Sequence, residues 1–215
     1  MNKTVCIGAV LLALLSGALS AAEVALVTAL SGKVTVQEEK GTPGELKAFV
    51  KLREGDRLML GDAARVQLVF FESGRQETWQ GAATLALGAA GSTSQRAGHQ
   101  AEVKNLPAIL VRQLSKTPSE GGNVKTGMVR VRSLAPNDRL ESVEQSYADM
   151  RRQAVSDDRT PELYLLASYL ELREFERLER LLTRLVDESP GDPQVAELKA
   201  LYGPASAAAK AAGTP

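Results

Sequence analysis

Trp79 and the cations Arg112, Lys125, Arg130 and Arg132 are the side chains of this sequence best suited to meet a ligand or partner. An indole offers a face on which a sugar ring stacks, or else an anchor that packs on a sheet, and the sequence leaves both uses open. From Arg96 to Arg132 there are seven Lys and Arg against Glu102 and Glu120, a patch fit for an anionic partner or a solvated strand face. Catalytic types are scarce. His99 is the sole histidine, with no second His or Cys for company, so no metal or catalytic role is expected of it. Carboxylates such as Glu72 and Glu77 can be paired on paper as general acid and base, but nothing in the sequence brings them into a cleft, and solvation is their expected state. No catalytic residue, cofactor site or metal site is predicted.

The elements that position these residues are read from periodicity. Val34 and Val36 alternate with Lys33, Thr35 and Gln37, while Leu46, Ala48, Val50 and Leu52 share a face opposite Lys47, Phe49 and Lys51. Ala64, Val66, Leu68 and Phe70 line one face of a longer strand whose end, with Val69 and Phe71, is apolar on both sides and therefore predicted to lie near a sheet centre. Arg75 to Gln80, polar on both faces except at Trp79, reads as an edge strand; Ala83, Leu85 and Leu87 close the series. Gly55, Gly61 and Gly74 are expected to accept positive φ in turns, with Asp56 and Asp62 bonding nearby amides. No Lys-Ser/Thr helix follows these glycines, so phosphate binding is not their expected role.

Compartment and charge follow from composition. Met1 to Ala22 has Lys3 ahead of an apolar core, Val5 to Leu15, and then small residues, which predicts a secretory leader cleaved near Ala22 and a periplasmic destination. The apolar core is too short for a bilayer span, so no stable membrane span is expected after cleavage. Cys6, the only cysteine, lies inside that segment, leaving the mature chain without disulfides or thiol chemistry. Net charge is zero overall. Residues 23–137 carry 15 Lys and Arg against 11 Asp and Glu, whereas residues 138–203 carry 9 against 15. The split predicts two different surfaces and no general nucleic-acid binding.

The order Gly32-x-Val34, Leu52-x-x-Gly55-Asp56-x-Leu58-x-Leu60-Gly61, Ala64-x-Val66-x-Leu68-x-Phe70, Ser73-Gly74 and Thr84-Leu85-Ala86-Leu87 resembles the FecR-type periplasmic domain, over about residues 24–87. The resemblance implies an all-β, non-catalytic domain; the family's best-known members relay signals from outer-membrane transporters to sigma factors. Leu60 and Ala64 stand where the family often has Thr and Ser. With no sigma-binding segment or membrane span read in this chain, envelope assembly or sensing is expected of it rather than anti-sigma activity.

Beyond Gly88 to Gly98, a loop by composition, Asn105 is placed to cap a short helix with Leu106, Leu110 and Leu114 on one stripe. Residues 107–137 form a mixed linker that includes a strand at Gly127 to Arg132. The period then changes to three and four: Leu140, Val143, Tyr147, Met150 and Ala154 mark one helix, and Thr160-Pro161 opens the next as N-cap and N1. Leu163, Leu166, Ala167 and Leu170 form its buried face, Phe175 to Leu185 a third helix, and Val195, Leu198 and Leu201 a last short one. Leu165, Tyr169, Phe175, Leu178, Leu185 and Pro190 resemble a degenerate tetratricopeptide repeat at about 161–192, with Leu166, Leu178 and Leu185 in place of small residues. Residues 203–215 read as a disordered tail.

The predicted fold is α+β in two modules, an antiparallel β sandwich or roll (23–106) followed by an array of helical hairpins (138–202). Its expected use is as a non-enzymatic interaction or scaffold protein of the envelope, bound to protein partners. Two alternatives stand beside it: a relay from a receptor or transporter to a membrane sensor, and a carbohydrate or peptidoglycan binder using Trp79 and the Arg130-Arg132 face.

Overall fold

A computed structural model describes residues 22–38, 41–119, 136–156 and 158–212. The alternating runs of the first half form two five-stranded antiparallel sheets. In the first, β10 (Glu102–Asn105), β7 (Arg75–Gln80), β6 (Arg65–Phe70), β1 (Glu23–Ser31) and β4 (Lys51–Arg53) lie side by side in that order. The second runs β3 (Gly44–Glu45), β2 (Val34–Gln37), β5 (Arg57–Leu60), β8 (Ala83–Leu87) and β9 (Ser92–Ser94). Five helices follow: α1 (Ala108–Leu114), α2 (Pro136–Gln153), α3 (Thr160–Leu172), α4 (Phe175–Glu188) and α5 (Pro193–Ala211). The chain is thus α+β, with β elements before helices.

The first sheet is the middle layer. One face, carrying Ala25, Val27, Val66, Leu68 and Phe70, meets Val34, Leu58, Leu60 and Leu85 of the second sheet. Its other face, at Leu26 and Val69, joins a core with Leu110 and Leu114 of α1, Leu163 and Leu166 of α3, and Tyr202 of α5. Strand β1 is therefore covered on both sides, which is why its sequence, EVALVTALS, is almost unbrokenly apolar instead of alternating. Helix α3 is its counterpart among the helices, buried without a break from Thr160 to Tyr169 because α1, α2, α4, α5 and β1 surround it.

Gly32 sits at φ +71°, and a Cβ there would lie 2.8 Å from the Ala63 carbonyl oxygen, so the β1 to β2 turn requires glycine. Gly55 and Gly74 also have positive φ, as expected; Gly61 does not, its neighbour being the Lys33 carbonyl, to which it donates.

Several local expectations are corrected. The strand read over Leu46 to Leu52 is interrupted: β3 and β4 flank a turn where Phe49, at φ +63°, drives its ring into the core shared with the helices. Arg75 to Gln80 is not an edge strand, because β10 pairs along its outer side. Asn105 ends that strand rather than capping α1, whose cap position is Pro107, and the loop from Gly88 contains β9. Arg159 is the N-cap of α3, one residue earlier than expected, and the Asp158 carboxylate accepts from the Thr160 N–H at 2.9 Å. The C-terminal residues are helical to Ala211, not disordered. Alanine's high helix propensity continues α5 past Gly203 and Pro204, and Tyr202, Ala205 and Ser206 are buried against the bundle. Arg173 donates to the Ala209 carbonyl at 3.1 Å and Lys210 meets Glu179 at 2.5 Å, pinning that end. The strand expected at Gly127 to Arg132 lies outside the described residues.

Candidate functional site

Trp79 is not a stacking platform. It is 3% exposed, and its indole N–H donates to Ser92 Oγ at 2.9 Å and to Glu77 at 3.3 Å. The burial follows from alternation, since Arg75, Glu77 and Trp79 all project from β7 toward the second sheet. Glu77, expected to be solvated, is 1% exposed: one carboxylate oxygen accepts from the Ser92 N–H at 3.1 Å and from the Ser92 hydroxyl, and Arg75 lies 3.1 Å from the other. Glu72 stands apart on the surface. The cluster ties β7 of one sheet to β9 of the other, a polar latch rather than an acid–base pair. His99 lies edge-on to Trp79 with ring centroids 5.4 Å apart, and its Nε2 is 2.9 Å from the Gln80 carbonyl. Of the expected cations, Arg112 is exposed on α1, and Lys125, Arg130 and Arg132 lie outside the described residues.

A second polar region lies where the two modules meet. A cleft of about 250 Å³ is lined by Glu23, Lys51, Asp56 and Glu197 around the Ala48 to Val50 turn. Asp56 is 5% exposed and accepts from the Arg53 N–H at 2.8 Å, the turn-stabilising role expected of it. Burial pushes its carboxyl up from the usual range, the Arg53 amide opposes that rise, and Glu38 adds to it. Lys51 is 3.1 Å from Glu23. Asp56 thereby closes an amide of β4, an edge strand of the first sheet.

The helices carry the richest polar arrangement, and sequence reasoning missed it. Glu144 of α2 accepts from the Tyr169 hydroxyl of α3 and from Arg177 of α4, both at 2.8 Å. Two turns along, Glu162 of α3, 2% exposed, accepts from Arg151 at 3.1 Å and from the Tyr147 hydroxyl at 3.3 Å. Burial, together with the bond to Glu144, pushes the Tyr169 phenol up to about 12. The signal was present as seven-residue spacing: 144 and 151, 162 and 169, and 177 and 184 each fall two turns apart on one face. These groups satisfy one another and hold α2 and α4 on either side of α3.

The outer face of α4 is mostly charged, with Arg184 donating to the Tyr147 hydroxyl at 3.5 Å and Glu179 meeting Lys210. Leu178, Leu181, Leu182 and Leu185 face inward, while Glu176, Glu179, Arg180, Thr183, Arg184 and Asp187 line an open groove of about 620 Å³. The face is shallow and carries both signs of charge. Among the described residues, no three His, Cys, Asp or Glu are grouped to hold a metal, and no helix is long and apolar enough to cross a membrane.

No family model matches the chain, and no curated protein matches it. A solved structure described as a cell surface anchoring domain aligns with 31% of this chain and 87% of its own length, at 24% identity and a TM-score of 0.29, a likeness too slight to bear on fold or function.

Proposed function

We propose that this chain is a non-enzymatic interaction or scaffold protein of the cell envelope, exported to the periplasm, in which a FecR-like β module carries a tetratricopeptide-like helical module that holds a protein partner. The observation that carries this reading is the α4 face: a charged, open groove displayed by a helix whose other side is locked into the core through four leucines. Buried carboxylates elsewhere are matched to donors within the fold, Glu77 by Ser92 and Arg75, and Glu162 by Arg151, which suits a frame better than a reactive cleft.

The test is crosslinking of the full-length chain in intact cells, beside a variant carrying Glu176→Lys, Arg180→Glu and Asp187→Lys. The expected result is a discrete envelope partner crosslinked to the unaltered chain and lost from the variant, with the circular dichroism of the two unchanged. Partners indifferent to the charge reversals, or a hydrolytic activity of the purified chain abolished by one point substitution, overturn the reading.

A further inference from the structure

Strand β10 forms one open edge of the first sheet among the described residues. Across the β7 ladder the register runs Glu102 with Thr78, Val103 with Glu77, Lys104 with Gln76 and Asn105 with Arg75. The next residue, Leu106, donates its N–H to the Gly74 carbonyl at 2.9 Å. Backbone groups alternate sides along an antiparallel strand, so Lys104 and Glu102 also turn theirs toward β7, and Val103 and Asn105 turn theirs to the open edge. The side chains there are unusually bare. Val103 is 47% exposed, and it and Ile109, 69% exposed in the adjoining helix, are two of the four exposed large apolar residues among those described.

We propose that β10 pairs with β10 of a second copy of this chain, antiparallel, about a two-fold axis through Val103. That register sets Val103 opposite its own copy, with the outward N–H and C=O of each exchanged. It sets Glu102 opposite Lys104 of the second copy, and Lys104 opposite Glu102, on one face of the joined sheet. The match is self-complementary, as a two-fold interface demands: one strand with an acid and a base two residues apart, flanking an apolar residue whose amide points outward. Shifting the axis to the midpoint of Val103 and Lys104 destroys all three features at once. The two first sheets then form one continuous sheet, and both exposed edges are covered. This surface is separate from the α4 face and stands independently of the function proposed above.

Sedimentation equilibrium of the full-length chain over a wide concentration range tests it, using three variants: Glu102→Lys, Lys104→Glu, and the two combined. A monomer–dimer equilibrium is expected for the unaltered chain. Each single reversal faces like charges across both symmetry-related pairs and weakens the dimer roughly ten-fold or more, while the double exchange restores opposite charges and returns the affinity to within about three-fold. At concentrations low enough for all four to be monomeric they should share one unfolding midpoint, because the exchanged side chains are exposed. A chain monomeric at every concentration overturns the proposal and leaves the edge to a foreign strand; a dimer indifferent to the single reversals, or one that the double exchange fails to rescue, overturns it equally.

Discussion

The two faces of the first sheet are made of the same strands but are built differently. Toward the second sheet they present Val66, Leu68 and Phe70, and the polar groups there, Glu77 and Trp79, are met by Ser92 and Arg75. Toward the helices they present Leu26 and Val69 interleaved with Gln67 and Gln76, both buried, each keeping a side-chain polar atom without a partner. A buried polar atom lacking a hydrogen bond costs free energy that an apolar group of the same shape does not. The buried carboxylate of the sandwich face is thus met by an ion pair and by Ser92, while the face toward the helices buries two amides that each keep a polar atom unmet.

The contrast can be broken in order of size. Phe70→Ala, inside the sandwich, should cost about 3–5 kcal/mol in urea-induced unfolding, because a fully buried ring leaves a cavity between tightly packed sheets; a loss below that of an exposed substitution would show that the sandwich is not the main core. Glu77→Gln keeps the shape of the latch but removes the charge that Ser92 and Arg75 satisfy, and should cost about 1–3 kcal/mol. Trp79 fluorescence is the natural probe of that change, and an unaltered spectrum with unaltered stability would reduce the latch to a passive contact.

On the helix side, the Tyr202 hydroxyl is fully buried and 3.4 Å from Thr117 Oγ1, and burial raises its pKa from the ordinary 10.0. The unfolded chain therefore loses this proton first, so the stability Tyr202 contributes is complete below pH 10 and declines as pH rises above it. Tyr202→Phe should flatten that alkaline decline in pH-dependent thermal melts; an equally steep slope would assign it to other groups. The smallest effect is expected at Gln67→Met, which should be neutral or stabilising by up to about 1 kcal/mol, since it replaces a partly unsatisfied amide by an apolar chain of similar volume. A clear loss of stability there would mean that Gln67 has a bound water as partner, and that the two faces are alike after all.

Much of the sandwich was legible. Val34 and Val36, and Ala83 to Leu87, alternate because one side of each strand faces the core; β6 is buried on both faces, and its apolar end correctly marked a position near a sheet centre. Strand β1 was not, because burial on both sides erases the alternation that identifies a strand, and its apolar run abuts the apolar leader. β9 and β10 escaped because Ser, Thr, Glu and Lys at exposed edges carry no hydrophobic period. The site was legible only in types. Trp79 stood out by rarity, yet whether it faced solvent depended on Ser92, thirteen residues away on another sheet. The α2–α3–α4 network needed three helices brought together before its heptad spacing had meaning.

Strand β1 draws its partners from far along the chain. Beside β4, its pairing partner β6 begins only at Arg65, and of the helices that cover its other face α3 begins only at Thr160 and α5 at Pro193. Such distant pairings raise the mean sequence separation of the native contacts, which slows folding. Once paired, β1 fastens both halves together: cutting the chain between α1 and α2 would strip Leu26, Phe49 and Val69 of cover as surely as Leu163 and Leu166. The two modules are distinct in architecture and share one core.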